Sequence, residues 1–352
     1  MDLHKDKAFL RPYEMKPPEN RGKNNSGAPS LPTPPSSAEK PLPAKPSSSL
    51  SKPVQRALEI IKTGRRPNDS SWIKIRLGPG DFIVLEEQLK KEDLWGYVED
   101  KVRFDYNSET RYIVFRMPSA IHDMFTGNVT KHIESQLKRI REDKTFPDIA
   151  RIANSIKLAW TSNVYLKGPN SDRDKHSPDA SFMLENTIYP CIVIETSYSQ
   201  KKKDLPHLAD DYILKSYGSI KVMIGLDIEY RGSKKATVSV WHPDRGFTSN
   251  GIPYLRVKKT TDDKPFRSSD GSSVSPDVDI RLPFSTFLPL GTKLSSDVAL
   301  SITSSTLFSI LEQVERSEAG HKNGAMETLS PETILQPQQG TPEEQLTEVL
   351  RF

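Results

Sequence analysis

The chain has 352 residues, of which 35% are hydrophobic and 28 are proline, a balance that suits one folded domain with poorly packing ends rather than two packed domains. Its 50 basic and 46 acidic residues leave a formal charge of +4, which permits nucleic-acid binding without arguing for it, so local clusters matter more than the sum. The single cysteine, Cys191, excludes an internal disulfide, suits a reducing compartment and, inside an apolar run, reads as a small buried hydrophobe rather than a nucleophile.

Residues 1–48 are dominated by Pro, Ser, Lys and Asn, as in Pro32-Thr33-Pro34-Pro35-Ser36-Ser37. Such a segment buries too little apolar surface to offset its ordering entropy, and a disordered arm is expected. Met1-Asp2-Leu3-His4-Lys5-Asp6-Lys7 lacks the apolar centre of a signal peptide, and no window approaches the roughly 18 consecutive apolar residues of a membrane helix. The expectation is an intracellular protein, cytoplasmic or nuclear, with no membrane partner.

Ser49 or Ser51 is placed to cap a helix running to about residue 62, with Pro53 in its first turn, Val54, Leu58 and Ile61 at helical spacing, and Gly64 at its end. Trp72, Lys74 and Arg76 then alternate with Ile73, Ile75 and Leu77 as in a strand. Gly78-Pro79-Gly80-Asp81 reads as a turn into a second strand, Phe82-Ile83-Val84-Leu85, completing a hairpin. That turn lacks the Gly-Lys-Ser/Thr ending of a phosphate loop. Residues 102–106 and 111–117 predict a second hairpin across Asn107-Ser108-Glu109.

Pro118 ends that hairpin and Ser119 is placed to cap the most regular helix in the chain, where Ile121, Phe125, Val129, Ile133, Leu137 and Ile140 form one apolar stripe. Strands are expected at 156–158, 164–166, 180–183 and 191–196, with the polar segment 168–177 as a loop. Residues 205–217 read as an amphipathic helix carrying Leu208, Tyr212 and Ile213 and closed by Gly218. The apolar run 220–226 reads as a central strand covered on both faces, so that strand 191–196, this helix and strand 220–226 make a right-handed βαβ unit. An edge or outer strand at 237–241, a short strand at 280–284 and a helix over 304–316 complete the elements. The expected division is a disordered arm (1–48), a short helix (49–65), an α/β domain (66–290, core 119–244), a helical segment (291–317) and a mobile tail (318–352).

Two carboxylates stand out because they sit beside apolar, strand-like residues: Asp179 in Ser177-Pro178-Asp179-Ala180-Ser181-Phe182, and Glu195 in Ile192-Val193-Ile194-Glu195-Thr196-Ser197. Charge there is costly unless a cation lies between them. If the flanking strands are antiparallel neighbours, both acids converge at one end of the sheet, a hard-oxygen pair suited to Mg²⁺ or Mn²⁺. The alternative is that Asp179 caps a turn and Glu195 pairs with one of the lysines after it.

These segments, with Asp204-Leu205-Pro206-His207-Leu208-Ala209-Asp210-Asp211-Tyr212-Ile213 and Ile224-Gly225-Leu226-Asp227-Ile228-Glu229-Tyr230, resemble the PD-(D/E)XK nuclease superfamily, and within it the fungal and bacterial restriction-endonuclease-domain proteins. The resemblance covers roughly residues 119–244. It implies a restriction-endonuclease-like α/β core (helix, three-stranded meander, helix, strand), here with added N-terminal β-hairpins and disordered ends. It further implies Asp179 and Glu195 as metal-binding acids in a Mg²⁺- or Mn²⁺-dependent nuclease. The superfamily's lysine, two residues after the second acid, is replaced here by Ser197. Period two carries Lys201 and Lys203 to the same side as Glu195 and makes them the candidate substitutes, unless 201–203 is simply a solvated charge run. Glu134, where the superfamily often supplies a further acid, faces either the site or solvent, and Gln200 either contacts a phosphate or shapes a turn. His176 and His207 form no zinc pattern with a cysteine and carry no metal role in this reading.

Lys201-Lys202-Lys203, the Lys234-Lys235 pair after Arg231, and the Lys258-Lys259 pair after Arg256 are basic clusters suited to phosphate contacts, with Lys202, Lys234 and Lys235 as candidate nucleic-acid contacts and DNA preferred over RNA. The expected activity is metal-dependent phosphodiester hydrolysis. The alternative is a degenerate nuclease-fold module that binds nucleic acid or protein.

Overall fold

The computed structural model describes residues 50–64, 72–168, 173–198, 204–229, 232–288 and 294–324. The expectations for the arm 1–48 and for the tail beyond 324 lie outside these residues. The architecture is mixed α/β, with two main sheets and a two-stranded ribbon.

The first sheet has five strands in the order β1 (Trp72–Arg76), β3 (Tyr112–Arg116), β2 (Phe104–Asn107), β6 (Arg173–His176), β5 (Val164–Lys167). Its apolar face carries Ile73, Ile75, Phe104, Ile113 and Phe115 and is covered by three helices, α1 (Lys52–Thr63), α2 (Asp81–Lys91) and α3 (Trp95–Lys101). Helix α1 has the expected stops: the Ser51 hydroxyl accepts from the Val54 amide, and Gly64 ends the helix in the left-handed region at φ 58°.

The second sheet has six strands in the order β11 (Pro253–Arg267), β10 (Ala236–Phe247), β9 (Val222–Ile228), β8 (Pro190–Tyr198), β7 (Ala180–Leu184), β4 (Ile156–Leu158). Helix α4 (Ala120–Glu142), helix α5 (Pro147–Ser155), the ribbon of β12 (Asp279–Pro283) and β13 (Ala299–Thr303), and helix α7 (Ser304–Asn323) pack on one face. Helix α6 (Leu205–Lys215) covers the other face together with residues of β5. Strand β8 shows the two-sided burial directly. Ile192 and Ile194 face the α4 core, whereas Val193 faces α6. Strands β8 and β9 are parallel, so the predicted βαβ unit is present.

Four expectations are corrected. Residues 82–85 belong to α2 rather than to a strand, because the Asp81 carboxylate accepts from the Gly78 amide and Gly80, at φ 77°, turns the chain straight into a helix. Strand β1 therefore pairs with β3, and only one of the two N-terminal hairpins, β2–β3, exists. Within the polar segment 168–177, residues 173–176 form strand β6. Alternation of polar against apolar residues gives no signal there because β6 buries polar side chains on both of its faces, Asp174 and His176 beside Asp211 and Lys175 against the Phe104 ring. Finally, β10 is internal, since β11 adds the outer strand, and α7 continues past Arg316 to Asn323. Among the described residues no helix is long and apolar enough to cross a membrane.

Candidate functional site: a buried acid–arginine centre

The β7–β8 register brings the two predicted acids together. Ala180 pairs with Ile194 and Ser181 with Val193, so Asp179, one step earlier, stands opposite Glu195 and shares its side of the sheet. Both carboxylates are buried. The cation between them is Arg116, at the end of β3. Its Nη1 lies 2.7 Å from Glu195 Oε2 and 3.6 Å from Asp179 Oδ1. Strand alternation explains the delivery: Ile113 and Phe115 point into the N-terminal core, so Tyr112, Val114 and Arg116 point the other way.

Arg116 is held from further directions as well. Its Nη2 donates to Asp105 Oδ1 at 2.9 Å and to the Ser177 carbonyl. The remaining carboxylate oxygens also accept hydrogen bonds. Tyr212 O–H donates to Glu195 Oε1 at 2.7 Å, and the Thr196 amide donates to Asp179 Oδ2 at 2.8 Å, with His122 Nε2 3.1 Å from that same oxygen. Burial opposes charge on Arg116, Glu195 and Asp105. It raises the Glu195 carboxyl, an effect that Arg116 offsets only in part and that Asp179 and Asp105 reinforce. Burial also works to raise Asp105, but there the Arg116 guanidinium and His176 win and hold the carboxyl well below the usual range.

Beside this centre lies a cleft of about 550 Å³ reached by Arg116, His176 and Glu195. One wall is the polar face of the first sheet, with Trp72, Lys74 and Tyr112; the other is α6, with Asp204, Asp210 and Asp211. Lys74 Nζ sits 4.2 Å from the centre of the Tyr112 ring, within cation–π range. Further into this region Asp174, His176 and Asp211 form a buried cluster that could hold a metal ion, their ligand atoms all within 4.8 Å of one another. Lys215 Nζ bridges its two acids, pairing with Asp174 and lying 2.5 Å from Asp211 Oδ1. His176 is flanked by Asp105 and Asp211; burial works against its charge, but those carboxylates raise it from 6.5 to about 9.

Of the other predicted site residues, Ser197 lines the cleft, as period two from Glu195 requires, and donates to Asp227 on β9. Glu134 is not brought to the acids. It pairs with Arg141 at 2.6 Å, twelve residues along α4 from His122, or about 18 Å at 1.5 Å per residue. Gln200, Lys201, Lys202 and Lys203 lie outside the described residues. Lys234 and Lys235 precede β10 and do not line the cleft. Two other basic side chains, Arg256 and Lys259, pair with Asp244 and Asp262.

The sequence reading missed Arg116, Asp105, Tyr212 and the cluster around His176. Asp174 and His176 are two apart on one strand, and Asp211 and Lys215 four apart on one helix. Those spacings were the available signal once β6 was known to be a strand.

A divalent ion shared by Asp179 and Glu195 would need Asp179 Oδ1 and Glu195 Oε2, the two oxygens that face Arg116 Nη1. With the guanidinium there, the residues as they stand do not fit such an ion. No protein-family model matches the chain, and no curated protein sequence matches it significantly.

Proposed function

We propose that the chain is a nuclease-fold module of the PD-(D/E)XK type that binds nucleic acid without hydrolysing it through a divalent ion at Asp179 and Glu195. The observation that carries this reading is the Arg116 guanidinium between the two acids. Ser197 adds to it, because the superfamily's lysine position holds a hydroxyl that donates to Asp227 and brings no ammonium to the cleft. The fold reading is supported by the order α4, β4, β7, β8, α6, β9, with β7–β8 antiparallel and β8–β9 parallel. Apart from α5, which stands between α4 and β4, this is the helix, three strands, helix, strand order of the resemblance, with β5 and β6 inserted into the other sheet.

Nucleic acid is the proposed ligand because one cleft wall alternates aromatic and basic side chains. Trp72, Lys74 and Tyr112 line it and Arg76 continues the same face. Aromatic faces stack bases, and the cations meet phosphates. DNA is proposed ahead of RNA.

A second reading, a Mg²⁺- or Mn²⁺-dependent nuclease, is favoured by the convergence of two carboxylates on one point, and it requires Arg116 to leave. One experiment separates the two. The full chain is incubated with single- and double-stranded DNA and RNA and Mg²⁺ or Mn²⁺, beside Asp179→Ala, Glu195→Ala and Lys74→Ala. The expected result is salt-dependent binding, weakened by Lys74→Ala, with no cleavage. Cleavage by the unsubstituted chain that both acid variants lose would establish the nuclease reading, and no binding to any nucleic acid would overturn the first.

A further inference from the structure

The Asp174–His176–Asp211 cluster offers a different set of donors from the acid pair: two carboxylates and an imidazole, on β6 and α6. An acidic cluster alone would mean little, but His176 adds an independent observation. Its side chain is 3% exposed and both ring nitrogens lack a hydrogen-bond partner of acceptable geometry. Nε2 stands 3.2 Å from Asp211 Oδ2, and Nδ1 stands 3.7 Å from Asp105 Oδ1. Buried ring nitrogens are normally hydrogen-bonded, whereas here each faces a carboxylate without hydrogen-bond geometry, so the two acids hold the imidazole in place without locking Nε2 away from a ligand.

The geometry points to a transition-metal site in which His176 Nε2, Asp211 and Asp174 are the ligands and Asp105 is the outer carboxylate that orients the imidazole through Nδ1. Histidine ligands characteristically give their second ring nitrogen to a carboxylate, which sets tautomer and ring direction. A mixed nitrogen and oxygen set with one imidazole suits Zn²⁺ and its neighbours better than Mg²⁺, which keeps to oxygen ligands. The chain already holds a cation at this point, the Lys215 amine, shared between Asp174 and Asp211. Lys215 is a long side chain, 15% exposed, at the last turn of α6, so it can leave for solvent when an ion arrives. Entry is available because His176 and Asp211 both line the cleft. Binding displaces the Lys215 ammonium and takes neutral imidazole, so it releases protons where His176 is charged.

The test uses the full chain stripped with EDTA and titrated with Zn²⁺ by calorimetry, and with Co²⁺ followed by visible absorption. One Zn²⁺ per chain is expected, together with a Co²⁺ spectrum unlike that of the aqueous ion. His176→Gln and Asp211→Asn should weaken Zn²⁺ by at least about tenfold. Lys215→Met should tighten it several-fold, because a unit charge no longer competes for the two carboxylates. That gain is a result that partial unfolding would not imitate, so it keeps the inference open to disproof if His176→Gln folds poorly. Absence of Zn²⁺ binding, or binding unchanged in both His176→Gln and Lys215→Met, overturns the site. Binding lost in Asp179→Asn and Glu195→Gln but kept in His176→Gln also overturns it and would move the ion to the acid pair. The outcome is independent of nucleic-acid binding, which Lys74→Ala reports separately.

Discussion

Arg116 Nη1 lies 2.7 Å from Glu195 Oε2, and the two residues are 79 positions apart in the chain. This pair joins the two main sheets, and Asp179 and Asp105 depend on the same guanidinium. Removing one partner of a buried ion pair leaves uncompensated charge, which costs far more than the pair contributes. Arg116→Met is therefore expected to lower the unfolding free energy by about 3–5 kcal/mol. Adding Glu195→Gln should recover part of that loss, and urea unfolding of the two single variants and the double variant measures the coupling. Additive losses would show that the pair is not coupled.

Lys175 predicts the opposite sign. Its amine is buried over the Phe104 ring, 3.4 Å from the ring centre, and burial lowers it from 10.5 to about 7, with Asp105 only partly opposing. Folding thus favours the neutral amine, and stability falls as pH drops from 10.5 to about 7, where the loss is complete. Lys175→Met keeps the length and removes the buried charge. It should raise stability at pH 6 by on the order of 1 kcal/mol, with a smaller gain at pH 9, read from thermal midpoints at both values.

His176 gives a pH dependence of the reverse kind in metal-free protein. Its folded value of about 9 stands above the ordinary 6.5, raised by Asp105 and Asp211 against the effect of burial. The stabilisation is present below pH 6.5 and is lost as pH rises through about 9. Relative to His176→Gln, the unsubstituted chain in EDTA should lose a few kcal/mol over that window, the opposite slope from Lys175 being common to both chains, as denaturant midpoints between pH 6 and 9.5 will test. Equal slopes for both chains would refute it.

Gly225 stands opposite Glu195 in the parallel β8–β9 ladder. A Cβ there would come within 2.8 Å of the Trp241 ring and 3.1 Å of Leu205 Cδ1, where α6 meets the sheet. Gly225→Ala should cost about 1–3 kcal/mol through overpacking beside the acid centre. Trp241 fluorescence, shifted relative to the unsubstituted chain, gives a local check alongside the unfolding midpoint.

The elements that were legible are those whose periodicity matches their burial. The α4 stripe of Phe125, Val129, Ile133 and Leu137 is buried as expected, and so is the apolar run of β9. Strand β6 was illegible for the converse reason. Asp174 and His176 face a polar centre while Lys175 lies against Phe104, so its Arg-Asp-Lys-His sequence mimics a solvated loop. The α2 helix was misread because Phe82, Ile83, Val84 and Leu85 are as apolar as a strand, and the Asp81 side chain decides the turn locally.

Periodicity and spacing by themselves determined the βαβ unit and the strands that flank Asp179 and carry Glu195, because alternation is a local property of the chain, whereas the antiparallel register that sets the two acids opposite each other comes from the strand pairing. They also established that a buried acid pair needs a cation. Which cation it is was decided only by the tertiary structure. Arg116 reaches the pair because β3 belongs to a different sheet whose polar face meets the second sheet at α6. That meeting depends on long-range strand pairing and shared burial, which leave no periodic trace in the residues that take part.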